Sequence, residues 1–133
     1  MSFITWDEKV YSVQNMEIDE QHKRLIGYIN ELYEAMKVGK ARFVLDEIFD
    51  GLVDYTKTHF AIEEGLMQRN HYPAYAIHKL EHDKLTAQVL ELQKKVQPGQ
   101  TKITLDTLQF LKDWLFNHIL MTDKKLGAFL KGK

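Results

Sequence analysis

The chain has 133 residues, enough for one compact domain with a single core, and its 44% apolar and 28% charged residues are an ordinary globular balance. A net charge of −1 with acids and bases interspersed excludes a nucleic-acid footprint and a polybasic membrane anchor. Cysteine is absent, which removes disulfides, iron–sulfur clusters, thiolate zinc sites and cysteine nucleophiles together.

Residues 1–18 read as an irregular arm carrying Phe3, Ile4, Trp6, Val10 and Tyr11, apolar enough to pack against the domain. Its opening stretch lacks the basic-then-apolar layout of a signal peptide, and no run is long enough to cross a bilayer. The expected compartment is the cytoplasm. Four helical stretches follow. The first runs from about Asp19 to Val38, with Leu25, Ile29, Leu32, Tyr33 and Met36 on one stripe and Gly39 as its stop. The second runs from about Ala41 to Gln68, with Leu45, Ile48, Leu52, Tyr55 and Ile62 inward, and the turn Asn70-His71-Tyr72-Pro73 ends it. The third spans about Ala74 to Val96, on a stripe of Tyr75, Leu85, Val89, Leu92 and Val96, before the break Gln97-Pro98-Gly99-Gln100. The fourth starts near Thr104, carries Leu108, Leu111 and Leu115, and continues towards Met121; a short helix over 123–130 closes the chain. Amphipathic helices with short connections predict an all-α, up-down-up-down antiparallel four-helix bundle over about 19–121. The whole of 1–133 is expected to be a single domain and a monomer.

Five of the six histidines continue these apolar stripes. His22 lies three residues before Leu25, and His59 follows Leu52 and Tyr55 at steps of three and four. The third helix reads Tyr75, His78, His82, Leu85, and the fourth reads Leu111, Leu115, His118. With the helices alternating in direction, all five converge on one end of the bundle, and only His71 sits in a turn. A buried imidazole needs partners for both ring nitrogens, and five in one small core are hard to satisfy by hydrogen bonding alone. A metal resolves this by taking one nitrogen of each.

Glu63, four residues after His59, shares its face at an offset of roughly 40°. Asp123, five residues after His118, lies roughly 140° away in an ideal helix, so it can join only if the fourth helix bends, loosens or ends near Met121-Thr122. Five imidazoles and two carboxylates exceed the six positions of one octahedral ion, which points to two. If both carboxylates bridge and one oxo or hydroxo bridges as well, eleven of twelve positions are filled and one is open to a small ligand. Ligand softness leaves iron, manganese and zinc all possible. An imidazole-rich pair is less suited to oxidising chemistry than a carboxylate-rich one, and better suited to holding dioxygen and releasing it.

The runs Ile18-Asp19-Glu20-Gln21-His22, His59-Phe60-Ala61-Ile62-Glu63-Glu64, Met67 with Tyr72-Pro73 before His78-x-x-x-His82, and Trp114-Leu115-Phe116-Asn117-His118-Ile119 followed by Asp123 closely resemble the hemerythrin family, particularly its single-domain bacterial members. The resemblance covers nearly the whole chain, Trp6 included. It implies two iron ions joined by an oxo or hydroxo bridge, with His78, His82 and His118 on a saturated iron. His22 and His59 would then hold the iron with the open position, and Glu63 and Asp123 would be the two bridging carboxylates. It further implies reversible dioxygen binding in an apolar pocket of Trp114, Leu115 and Ile119, although plain core packing accounts for Trp114 equally. Storage, delivery to an unknown partner protein or sensing would follow, with no catalytic residues. The rival readings are a di-iron oxidase, peroxidase or nitric-oxide-handling enzyme on the same scaffold, and iron sequestration or a regulatory module.

Overall fold

The computed structural model of the chain describes residues 3–40, 42–96 and 104–132. Among them the regular structure is helical throughout: α1 (Glu8–Tyr11), α2 (Met16–Lys37), α3 (Arg42–Arg69), α4 (Tyr75–Val96), α5 (Leu105–His118), a π-helical turn (Ile119–Asp123) and α6 (Lys124–Lys131). The break predicted at 97–100 lies outside the described residues, as does Ala41. Helices α2 to α5 form the four-helix bundle; α2 packs against α3 and α5, and α3 against α4. No helix among the described residues is long and apolar enough to cross a membrane.

Helix ends follow from capping. Asn15 accepts from the Ile18 amide at 3.0 Å, so α2 begins at Met16, three residues earlier than the apolar stripe suggests. The Asp7 side chain accepts from the Lys9 amide and starts α1, a single helical turn within the otherwise irregular arm. At the other end of α2, Gly39 takes φ +70°, with Lys40 N–H donating to Ala35 and Gly39 N–H to Met36. This is a Schellman stop, in which a left-handed residue lets two amides reach back to the last carbonyls. His71 plays the same part after α3 with φ 55°, and the Tyr72 amide donates to the Met67 carbonyl at 2.9 Å. The one histidine without a seat in the core is therefore a helix terminator.

Two apolar clusters fill the interior. The larger includes Leu25, Ile29, Leu32, Phe49, Leu52, Phe60, Val89, Leu108, Leu111 and Leu115. The smaller, at one end, consists of Val13, Ile18, Met67 and Leu126. The polar residues are sandwiched between them in chain order: His22 between Ile18 and Leu25, Glu63 between Phe60 and Met67, and His118 and Asp123 between Leu115 and Leu126. The arm is tied to α2 by paired bonds from Asn30, whose side chain accepts from the Ile4 amide and donates to the Ile4 carbonyl, each at 2.8 Å. Phe3 stacks on Tyr33, and Tyr11 on Phe116.

Candidate metal centre

Each helix of the bundle delivers its polar side chains at the level between the two apolar clusters. His22 comes from α2, His59 and Glu63 from α3, His78 and His82 from α4, His118 from the end of α5 and Asp123 from the π turn. All seven are buried, none more than 2% exposed. Two overlapping groups have donor atoms mutually within 4.8 Å: His22, His59, Glu63, His118 and Asp123; and Glu63, His78, His82, His118 and Asp123. The sequence-predicted histidines and carboxylates are thus brought together.

Asp123 reaches the site because of the π turn. A turn closed from residue i to i+5 holds one extra residue, so the fifth residue takes about the place the fourth has in an α-helix. The offset from His118 falls from roughly 140° to roughly 40°, matching that of Glu63 from His59. Asp123 Oδ2 then stands 2.9 Å from His118 Nε2 and 2.6 Å from His22 Nε2, while its Oδ1 is 3.1 Å from His78 Nε2.

Glu63 divides the imidazoles cleanly. Its Oε1 lies 2.9 Å from His82 Nε2 and 3.5 Å from both His78 Nε2 and His118 Nε2. Its Oε2 faces the other pair, 3.4 Å from His59 Nε2 and 4.0 Å from His22 Nε2. All five rings therefore present Nε2 to the carboxylates. Phe60 walls the cluster, stacked on His82 at 4.0 Å and edge-on to His118.

The donor set fits a metal. Buried polar atoms without hydrogen-bond partners concentrate here: Nε2 of His59, both ring nitrogens of His78 and His118, Glu63 Oε2 and Asp123 Oδ1 among them. Orphaned buried donors and acceptors are costly, and imidazole and carboxylate atoms converging on one volume are satisfied together by cations. The charges respond to the same crowding. Burial and the neighbouring Asp123 both oppose ionisation of Glu63, yet His59, His118 and His78 hold its carboxyl down at about 2. Burial opposes charge on His78, but Asp123 and Glu63 raise it to about 9. Against the same burial, Asp123 is held well below its ordinary range by His118, His22 and His59, and His118 well above its own by Asp123, Glu63 and Glu81.

Three further residues carry roles that the histidine pattern alone does not assign. His59 Nδ1–H donates to Gln21 Oε1 at 2.6 Å, and His82 Nδ1–H donates to Glu64 Oε2 at 2.9 Å. Glu81 stands 3.5 Å from His118 Nδ1 and accepts the Thr122 hydroxyl. The rule that a ligating imidazole needs an acceptor for its other nitrogen is the signal that could have found them. Of the expected pocket residues, Leu115 and Trp114 are buried in the larger cluster. Trp114 Nε1–H donates to the Leu85 carbonyl of α4 at 3.2 Å. The side chain of Ile119 lies outside the described residues.

A four-helix bundle with a buried cluster of five histidines and two carboxylates defines a metal-binding class of helical proteins. Residues 16–130 match the family described as the hemerythrin HHE cation binding domain. A bacteriohemerythrin of Methylococcus capsulatus is 37% identical over 98% of both chains. A hemerythrin-like protein of Naegleria gruberi is 35% identical over 94% of this chain and 92% of that one. Among solved structures, a wild-type hemerythrin superposes with a TM-score of 0.90 at 36% identity, covering 97% of this chain and 98% of that one. The chain belongs to the hemerythrin family.

Proposed function

We propose that this chain, as one domain, binds dioxygen reversibly at a pair of non-haem iron ions held by His22, His59, Glu63, His78, His82, His118 and Asp123, with an oxo or hydroxo bridge between them. The carrying observation is the division at Glu63: one carboxylate oxygen faces three imidazoles and the other faces two. A single carboxylate placed between unequal sets of imidazoles is the arrangement a bridging ligand needs. Seven donors also exceed one octahedral shell.

When bound, the iron pair supplies electrons to dioxygen and recovers them on release. The chain's own part is to hold the donors still and keep the site dry. Gln21 and Glu64 fix the tautomers of His59 and His82, so that Nε2 is free to coordinate. The two apolar clusters above and below the seven side chains would keep water and its protons away from the ions they hold. We assign Leu115 and Trp114 to the wall of the ligand pocket. The balance of five neutral imidazoles against two carboxylates favours a carrier over an oxidising catalyst, so we read the chain as an oxygen binder and not an enzyme.

The test is direct. Metal-free protein is loaded with ferrous iron in the absence of air, then exposed to oxygen and purged through several cycles while the visible charge-transfer absorption is followed. Absorption that rises and falls with each cycle is expected. A single irreversible bleach would favour an oxidase or iron-handling role.

The chelated protein should also have a distinctive pH profile. The raised His78 contributes stability in full below its ordinary 6.5, and loses it as pH rises through about 9. The depressed Glu63 contributes in full above its ordinary 4.5, and loses it as pH falls through about 2. The contribution of this network to thermal stability is therefore expected to peak between pH 4.5 and 6.5. Bound metal requires neutral imidazoles, so loading should release protons and move the optimum to higher pH. Melting curves of both forms across pH would check this; identical profiles would contradict it.

A further inference from the structure

A histidine that gives one ring nitrogen to a metal is tuned by whatever accepts the proton on the other. The five imidazoles here are treated unequally. On the side of Glu63 Oε1, His82 donates to a carboxylate, Glu64, at 2.9 Å, and His118 Nδ1 stands 3.5 Å from a second one, Glu81. Opposite Glu63 Oε2, His59 donates to the neutral amide of Gln21 at 2.6 Å. His22 Nδ1, His78 Nδ1 and His118 Nδ1 have no hydrogen-bond partner, Glu81 standing near the last without bonding to it. Among the described residues, carboxylates therefore stand behind imidazoles only on the three-histidine side, one of them hydrogen-bonded.

A carboxylate acceptor draws the N–H proton towards itself and leaves the opposite nitrogen a stronger donor; an amide does so far less. Glu64 is well placed for this. It is 20% exposed, and the Lys79 ammonium stands 3.7 Å from its other oxygen. Glu81 is held by Thr122 in the π turn, which keeps its carboxylate beside His118.

We propose that Glu64, supported by Glu81, and Gln21 are positioning residues that make the two halves of the centre unequal. The carboxylate-backed half would retain its ion more tightly than the half to which His22 and the amide-backed His59 belong. This rests on the two-ion reading above.

The test is an anaerobic titration of chelated protein with ferrous iron, followed by calorimetry. Two binding steps are expected for the unaltered chain. Glu64→Gln keeps an acceptor oxygen and the side-chain size but removes the charge. It should weaken one step by about 10- to 100-fold and leave the other as it was. Gln21→Glu should do the reverse, strengthening the weaker step and narrowing the gap between them. It should also shift the visible bands of the oxidised protein. A purely structural acceptor would be satisfied by glutamine, so unchanged titrations for Glu64→Gln would overturn the proposal. Equal weakening of both steps, or a Gln21→Glu protein indistinguishable from the parent, would overturn it too. Uptake of only one ion by the unaltered chain would be a separate result, defeating the two-ion reading and this proposal with it.

Discussion

Glu63→Ala is expected to strip both ions from the protein, whereas His59→Ala should weaken chiefly one. The difference follows from where the atoms stand. Glu63 Oε1 is within 3.5 Å of three imidazoles and Oε2 within 4.0 Å of the other two, so loss of this carboxylate removes an anionic donor from both halves. His59 Nε2 meets only Glu63 Oε2 and Asp123 Oδ2, at 3.4 and 3.7 Å. Changing an outer acceptor alone typically costs 10- to 100-fold in affinity, so loss of a bridging ligand should exceed about 100-fold for each ion. Without Glu63 the buried histidines also lose a counter-ion, and His78 should fall back from about 9. Metal analysis of the purified variants, with proton titration of His78 by NMR in the chelated form, would read both effects. Retention of one ion at parental affinity in Glu63→Ala would show that this residue does not bridge.

What could be read in advance was whatever short-range periodicity encodes. His22 and His118 sit three residues from Leu25 and Leu115, His59 and His82 sit seven from Leu52 and Val89, His78 sits four from His82, and burial of those leucines and the valine fixes the direction of the imidazoles. Glu63 follows by the same arithmetic. Asp123 does not, because its approach depends on a π turn that local propensity does not favour and only tertiary contact stabilises. Thr122, bonded across to Glu81 on α4, is one such contact. The start of α2 departs from the apolar stripe for a smaller reason. Asn15 caps it, and the apolar stripe does not reach back that far. Gln21, Glu64 and Glu81 look in the sequence like any polar residues on a helix face. Their meaning lies in partners 38, 18 and 37 positions away along the chain. The pairing of Asn30 with Ile4 is hidden in the same way, being a contact between an arm and a helix 26 residues on.

The largest effect away from the ligands is expected at Gly127. A methyl group there would lie 2.0 Å from the Val13 carbonyl oxygen and 2.9 Å from Val13 Cβ, so either the arm or α6 must move. The arm cannot give way cheaply. Val13 N–H donates to Asp19 Oδ1 at 2.8 Å, and the Ser12 hydroxyl donates to Asp19 Oδ2 at 2.6 Å. Asp19 lies three residues before His22 on α2, and Gly127 lies four after Asp123, so strain at this contact acts on the 2.6 Å approach between His22 and Asp123. Gly127→Ala should therefore cost at least about 1–3 kcal/mol, the usual range for overpacking, and lower metal retention together with the melting temperature. Gly27→Ala is the control. It sits inside α2 with nothing within 4 Å of the added methyl, and should stabilise by about 0.5–1 kcal/mol through helix propensity. If the two alanine variants melted alike and held equal amounts of metal, the packing of α6 on the arm would have no hold on the centre.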